Sequence, residues 1–278
     1  MKIGIIGLGL IGGSLGIDWR SQGHQIIGIS RKEETCKIAL QRGIADEAGV
    51  EFKLLKDTEV VVICTPIGAI ASTIKQARPH LNPETIITDV GSVKYPIVKS
   101  CNPLWQNFIG GHPMAGTAES GVEAALPNLF VGAAYVFTPT EQNKPEDVEK
   151  LKAIALQLNA VPYICDAKIH DRAVSLISHL PVMVSAGLIK VCLQEEPDTL
   201  KLAQILASSG FRDTSRVGGG NPELGVMMAK YNREELLRSL YTYQDDLTRI
   251  IDLIEGKNWE KLAEILKVNG EVRPKFLN

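Results

Sequence analysis

Three glycines, Gly7, Gly9 and Gly12, stand in the segment Lys2-Ile-Gly-Ile-Ile-Gly7-Leu8-Gly9-Leu10-Ile11-Gly12-Gly-Ser14, after an apolar run and at the start of a helical pattern. In that context G-x-G-x-x-G is a dinucleotide-binding fingerprint. Gly7 permits the tight turn, Gly9 lets the backbone approach a pyrophosphate, and Gly12 lets the helix pack on the strand. The helix start supplies N–H groups and partial positive charge for phosphates. Leu8, Leu10 and Ile11 belong to the same cofactor-contacting turn. A glycine turn without a ligand is the alternative. When a ribose carries a free 2′-hydroxyl, the second strand should end in Asp or Glu about 20 residues on. This chain reads Ile27-Gly-Ile-Ser30-Arg31-Lys32 instead. Ser30 can donate a hydrogen bond and Arg31 can pair with a 2′-phosphate, which favours NADP over NAD. The other reading of Arg31 is a solvated residue opening the next helix, on which Thr35 is a further cofactor candidate.

Three more segments follow the ends of successive apolar runs: Cys64-Thr65-Pro66, Asp89-Val-Gly91-Ser92-Val-Lys94 and Gly110-Gly-His112-Pro-Met-Ala-Gly116-Thr117. In an open parallel sheet, ligands bind beyond the C-terminal strand ends, so these segments should line one crevice with the glycine turn. His112, between glycines and Pro113, is expected in a loop, available for proton transfer. Farther along, His179 and the basic pair Arg212 and Arg216, with Asp213 between them, complete the chemically capable residues.

The elements that must position these groups change character near residue 165. Before it, candidate strands Lys2–Ile6, Gln25–Ser30, Val60–Cys64, Thr85–Asp89, Phe108–Gly110, Ala134–Thr138 and Val161–Ile164 alternate with amphipathic helical stretches. That pattern predicts βαβ units and a mostly parallel sheet. After it, Asp166–Cys192, Asp198–Ser209, Pro222–Lys230, Arg233–Glu255 and Trp259–Val268 read as helix, joined by a Gly- and Arg-rich loop from Ser208 to Asn221. The fold expected is α/β, an N-terminal Rossmann-type dinucleotide-binding domain (residues 1–164) followed by an all-helical C-terminal domain (165–278). Leu236, Leu237, Leu240, Leu247, Ile250, Ile251 and Ile254 form a stripe able to face a core or a partner.

Composition narrows the class. The 278 residues are 45% apolar and 22% charged, with 30 Lys+Arg against 32 Asp+Glu. That balance leaves no footprint for nucleic acid or an anionic membrane. No apolar run is expected to approach the ~20 residues of a bilayer span, and the N-terminus lacks the build of a signal peptide. Five scattered cysteines without C-x-x-C argue against a disulfide framework or a bound metal and fit a reducing cytoplasm.

The glycine fingerprint, Cys64-Thr-Pro66, Asp89-Val-Gly-Ser-Val-Lys94, Gly111-His-Pro-Met-Ala-Gly116, Ser178-His179-Leu-Pro181 and Gly210-Phe-Arg-Asp-Thr-Ser-Arg216 resemble, in that order, the arogenate/prephenate dehydrogenases of tyrosine biosynthesis. The likeness covers essentially the whole chain and is nearest to the cyanobacterial NADP-dependent arogenate enzymes, as far as Gly218-Gly-Gly-Asn-Pro-Glu-Leu-Gly225. It implies a cytoplasmic oxidoreductase that oxidatively decarboxylates a cyclohexadienol with NADP, in a homodimer joined through its helical domains, with no appended regulatory or mutase domain. It further implies His112 as catalytic base, with Ser92 holding the imidazole and touching the cofactor. Arg216 would clamp a substrate carboxylate, Arg212 is a second candidate, and His179 and Thr117 would face the substrate. For Ser92 a local turn bond, and for His179 a satisfied interior histidine, are the competing readings. Asp213 could offset an amino group or cap a turn. Two other functions fit the fold: a non-catalytic NADP-binding sensor, which would not need His112, Ser92 and Arg216 together, and a 3-hydroxyacid or imine dehydrogenase, whose monoanionic acids would not need a second cationic anchor.

Overall fold

Alternation of apolar residues with period two lets each central strand feed a core on both faces. Ile3, Ile5, Ile26, Val60 and Val62 enter one core, while Ile6, Ile27, Ile29, Val61 and Ile63 enter the other. The computed structural model describes residues 1–277 apart from Ala118. In chain order it contains β1 (Lys2–Ile6), α1 (Leu10–Ser21), β2 (Gln25–Ile29), α2 (Glu33–Gln41), β3 (Glu47–Gly49) and β4 (Val60–Ile63). There follow α3 (Ile70–Ala77), β5 (Ile86–Asp89), α4 (Tyr95–Cys101), β6 (Phe108–Pro113), β7 (Ala134–Thr138), α5 (Pro145–Leu156) and β8 (Val161–Ile164). The sheet order is β3-β2-β1-β4-β5-β6-β7-β8. Its first six strands are parallel in the order of a dinucleotide-binding sheet, with the direction of winding reversing between β1 and β4. Strand β7 runs antiparallel to β6, and β8 runs parallel to β7. The helices are tied across the first face by the Trp19 indole N–H, which donates to the Ile154 carbonyl at 2.8 Å.

The helical region opens with α6 (Ala167–Val174), which passes through a wide π turn at Ser175–His179 into α7 (Leu180–Cys192). Next come α8 (Pro197–Leu206), α9 (Ser209–Ser215), α10 (Pro222–Tyr231), α11 (Arg233–Glu255) and α12 (Trp259–Val272). Packing divides the chain after Asn232: Met1–Asn232 form one compact unit and Arg233–Asn278 another. In the second unit, the side chain of Asn258 accepts from Lys261 N at 3.2 Å and caps α12.

Two expectations give way here. The Ser208–Asn221 segment is largely helical: α9 is followed by a tight turn at Arg216–Gly219. Ser185 of α7 fixes that end, its hydroxyl donating to the Thr214 carbonyl (2.7 Å) and accepting from Gly218 N (2.9 Å). Gly218 lies so close to α7 that a Cβ there would strike the backbone of Ser185 and Ala186. The second concerns length: Ala167–Cys192 is a continuous run of 26 helical residues, long and apolar enough by composition to cross a membrane. Its polar residues Ser175, His179 and Ser185 are buried, whereas Ile169, Ile177 and Val191 on the same run are exposed.

Candidate active site

The glycine turn after β1, the Cys64–Pro66 segment after β4 and the end of β2 enclose a groove of about 530 Å³. Gly7, Ser30, Arg31, Cys64, Thr65 and Pro66 line it, as their motifs predict. Gly7 adopts φ +102°, and a Cβ on it would collide with the Cys64 carbonyl; a Cβ on Gly12 would collide with the Gly7 carbonyl. Nothing lies within 4 Å of the place a Cβ would take on Gly9, so a ligand can come close to the backbone there. The Thr65 hydroxyl is buried without a partner at the groove wall, an unspent group for a ligand. These features fit a dinucleotide cofactor. Leu8 points its side chain into the core, so only its backbone could serve a ligand, and Leu10, Ile11 and Thr35 are half-buried and do not line the groove. Burial pushes the Cys64 thiol up, which makes it a packing residue and a poor nucleophile.

Sequence reasoning missed the opposite wall, where Val50 and Phe52 follow β3 and Ser72, Thr73 and Gln76 project from α3. An apolar pair in the polar loop 50–53 was the signal available for the first two. Among the described residues, no carboxylate lines the groove.

His112 lies in β6 and is buried, which corrects the expectation of a loop. The Gly-Gly-His-Pro run continues as strand because β7 pairs with it, His112 opposite Val136 and Gly111 opposite Phe137. Ser92, expected to hold the imidazole, makes no side-chain hydrogen bond among the described residues; the ring meets His170 instead. His112 Nδ1 is 2.9 Å from His170 Nε2, and His170 Nδ1 is 2.7 Å from Asp171 Oδ1. The Asp171 carboxylate also accepts from the backbone N–H groups of Lys94 (2.6 Å) and Tyr95 (2.8 Å) at the start of α4. Beneath this chain, Lys94 and Asp89 form an ion pair at 2.5 Å, both side chains 0% exposed. The Lys94 ammonium also donates to the Gly111 carbonyl at 2.5 Å, while Asp89 accepts from Gly91 N and Gly111 N. Burial pulls the Lys94 pKa down, and Asp89 and Asp171 pull it back up.

Burial, reinforced by the closeness of His170, the Lys94 ammonium and His179, holds the His112 pKa well below the ordinary imidazole value. The ring is therefore neutral, as a base must be. His179, at the end of the π turn, is fully buried, and burial lowers its pKa to about 4. Its Nδ1 is 3.1 Å from Asn232 Nδ2, which also donates to the Asp171 carbonyl, and its Nε2 has no partner. An amide nitrogen only donates, so His179 Nδ1 accepts and Nε2 carries an unsatisfied proton. The other expected substrate residues stay outside this cluster. Arg212 pairs with Asp213 at 3.4 Å with side chains 76% and 73% exposed, and Arg216 is exposed on the following turn. The Thr117 hydroxyl accepts from Glu119 N at 3.2 Å in an exposed local turn.

A parallel sheet of this order, a glycine cradle at its switch point and a buried histidine on strand β6 of the same sheet are the features of a nucleotide-binding dehydrogenase. The chain belongs to the prephenate dehydrogenase family: residues 15–164 match that family's nucleotide-binding domain and residues 166–268 its dimerization domain. It is 32% identical to the prephenate dehydrogenase of Bacillus subtilis (strain 168) over 97% of this chain and 74% of that protein. The solved arogenate dehydrogenase of Synechocystis is 51% identical, with a TM-score of 0.92 and full coverage of both chains. The Aquifex aeolicus prephenate dehydrogenase, solved with hydroxyphenyl propionate and NAD+, is 26% identical with a TM-score of 0.92, over 99% of this chain and 98% of that one.

Proposed function

We propose that this member of the family oxidatively decarboxylates L-arogenate to L-tyrosine with NADP, as a cytoplasmic homodimer. The observation that carries the cofactor half is the groove itself, which presents Ser30 and Arg31 and no carboxylate where the adenosine ribose would lie. A 2′-phosphate there gains a charge-assisted partner and meets no repulsion. The substrate half rests on likeness to the Synechocystis arogenate dehydrogenase over the whole chain. Dimerisation is supported by the matched dimerization domain and by exposed apolar residues such as Leu202, Ile205, Leu206 and Val226 on the helices.

A dinucleotide held in the groove by the Gly7 turn, Ser30 and Arg31 would supply the acceptor for the hydride of ring C4. His112 Nε2 takes the proton of the C4 hydroxyl as the carbonyl forms. Loss of CO₂ from C1 then moves an electron pair through the ring onto that oxygen, and His112 returns the proton to the phenolate. The hydrogen count closes: one hydride leaves with the cofactor and the base is regenerated. Aromatisation supplies the driving force, which leaves the protein mainly orientation and proton transfer. His179 Nε2–H, buried without an acceptor, suits a substrate carboxylate, and Arg216, with Arg212 as alternative, is the proposed cation for the other. Ser92, its hydroxyl unengaged among the described residues, would bond the substrate hydroxyl or the cofactor carboxamide.

Purified enzyme assayed with arogenate and prephenate, each crossed with NADP and NAD, tests this reading. The highest kcat/KM is expected for arogenate with NADP. A preference for prephenate would move the enzyme to the activity named for the Bacillus subtilis relative and leave the acid–base scheme intact.

A further inference from the structure

Two side chains behind His112 belong to no motif that named the family, yet they decide which of its nitrogens can act. An ionised carboxylate only accepts hydrogen bonds, so Asp171 Oδ1 requires the proton of His170 on Nδ1. That leaves His170 Nε2 with a lone pair aimed at His112 Nδ1, 2.9 Å away. His112 must then carry its own proton on Nδ1, and its Nε2, without a partner among the described residues, is left as the basic nitrogen. The chain is rigid at its far end. Asp171 is held by two backbone N–H groups of α4, its carbonyl accepts from Asn232, and His170 and Asp171 are each 3% exposed.

We propose that His170 and Asp171 are positioning residues that fix the tautomer of His112 and stabilise the imidazolium formed when it takes the substrate proton. No proton passes along the chain. The substrate O–H bond breaks, an N–H bond forms at His112 Nε2, and the Nδ1–H bond of each ring stays where it was. The positive charge then sits one histidine away from Asp171. Of the titratable groups facing His112, which are His170, Lys94 and His179, the Lys94 ammonium opposes its protonation, while a neutral His170 offers its Nδ1–H a lone pair. The link to the carboxylate through His170 is therefore the compensating attraction.

This inference rests on His112 being the base, and the experiment separates the two. Imidazole ¹⁵N NMR of the wild-type protein in its NADP complex, with His112 assigned by His112→Gln, reports the tautomer without turnover. The Nδ1–H form of His112 is expected, and a dominant Nε2–H form would overturn the proposal. In His170→Leu, kcat should fall roughly 100-fold with the Kd for NADP unchanged. His170→Gln, whose amide oxygen can accept from His112 and whose NH₂ can donate to Asp171, should recover about tenfold of that loss. In Asp171→Asn, the amide can donate to His170 Nδ1, reversing both rings, and the NMR signal of His112 should switch to Nε2–H. A His170→Leu enzyme within threefold of wild type, or a Gln variant no better than Leu, would sink the proposal. An active His112→Ala enzyme would instead remove His112 as base, while the tautomer measurement still reports on the hydrogen-bond chain.

Discussion

At the end of β2, a single position separates two families of ribose contacts. A carboxylate there accepts from two ribose hydroxyls and repels a phosphate; Arg31 does the reverse, and Ser30 beside it accepts a local backbone bond from Lys32 N at 3.3 Å. Arg31 is exposed and reaches the groove from its rim, so its pairing energy is limited by water and salt. A charge-assisted bond is worth about 1.5–3 kcal/mol, and at this exposed rim the lower end applies, about 1.5 kcal/mol or roughly 10-fold in preference. Arg31→Ala should therefore weaken NADP binding by that factor and leave NAD nearly unchanged. Raising salt from 0.05 to 0.5 M should erode the wild-type preference in the same direction. Fluorescence titration of both cofactors checks it, and an NADP affinity indifferent to the substitution would place the discriminating contact elsewhere, with Gln76 on the opposite wall the next residue to change.

Among the elements, the turn after α9 is the one whose position decides where Arg216 stands. Ser185 satisfies a carbonyl on one side of that turn and an N–H on the other, and it is itself buried. Ser185→Ala would strand both backbone groups at a cost of about 1–3 kcal/mol. Gly218→Ala adds a collision with the α7 backbone and should cost more. Urea unfolding should show both losses, and KM for the anionic substrate should rise more than kcat falls, because the proposed anchor is displaced while His112 is not. An unchanged KM in a destabilised Ser185→Ala protein would detach Arg216 from the substrate. The same turn shows what the sequence conceals. Its glycines and polar residues read as loop by composition, yet tertiary bonds from α7 hold Ser209–Ser215 helical. The Gly-Gly-His-Pro run is extended into strand by its partner β7, although nothing within those four residues favours a strand. By contrast, the strands β1, β2 and β4 and the groove residues beyond them were legible, because periodic burial and glycine geometry act locally. His170 and Asp171 escaped notice because an α6 helix with buried polar residues looks, in sequence, like any amphipathic helix.

At the scale of the whole molecule, Asp89, Lys94, His112, His170, Asp171 and His179 are all buried, and stability should depend on pH accordingly. His112 and His179 both have pKa values lowered by burial, His179 to about 4, while an unfolded chain titrates each near 6.5. Above about pH 6.5 both states carry neutral rings and these residues contribute no pH dependence. As pH falls below that value the unfolded chain takes up protons that the folded protein refuses, so stability declines. The slope approaches about 1.4 kcal/mol per pH unit for each histidine and, for His179, levels off once pH passes its folded value near 4. The same depression should carry the acidic limb of kcat/KM below pH 6.5, since the free enzyme keeps its base neutral there. Urea unfolding at pH 7.5, 6.5, 5.5 and 5.0 should give nearly equal stabilities for the first pair and a clear fall across the rest. His112→Gln should flatten that fall by removing one refused proton, whatever it does to catalysis. A wild-type stability unchanged between pH 6.5 and 5.0 would mean that the cluster opens to water before it protonates, and that neither ring is held neutral by burial.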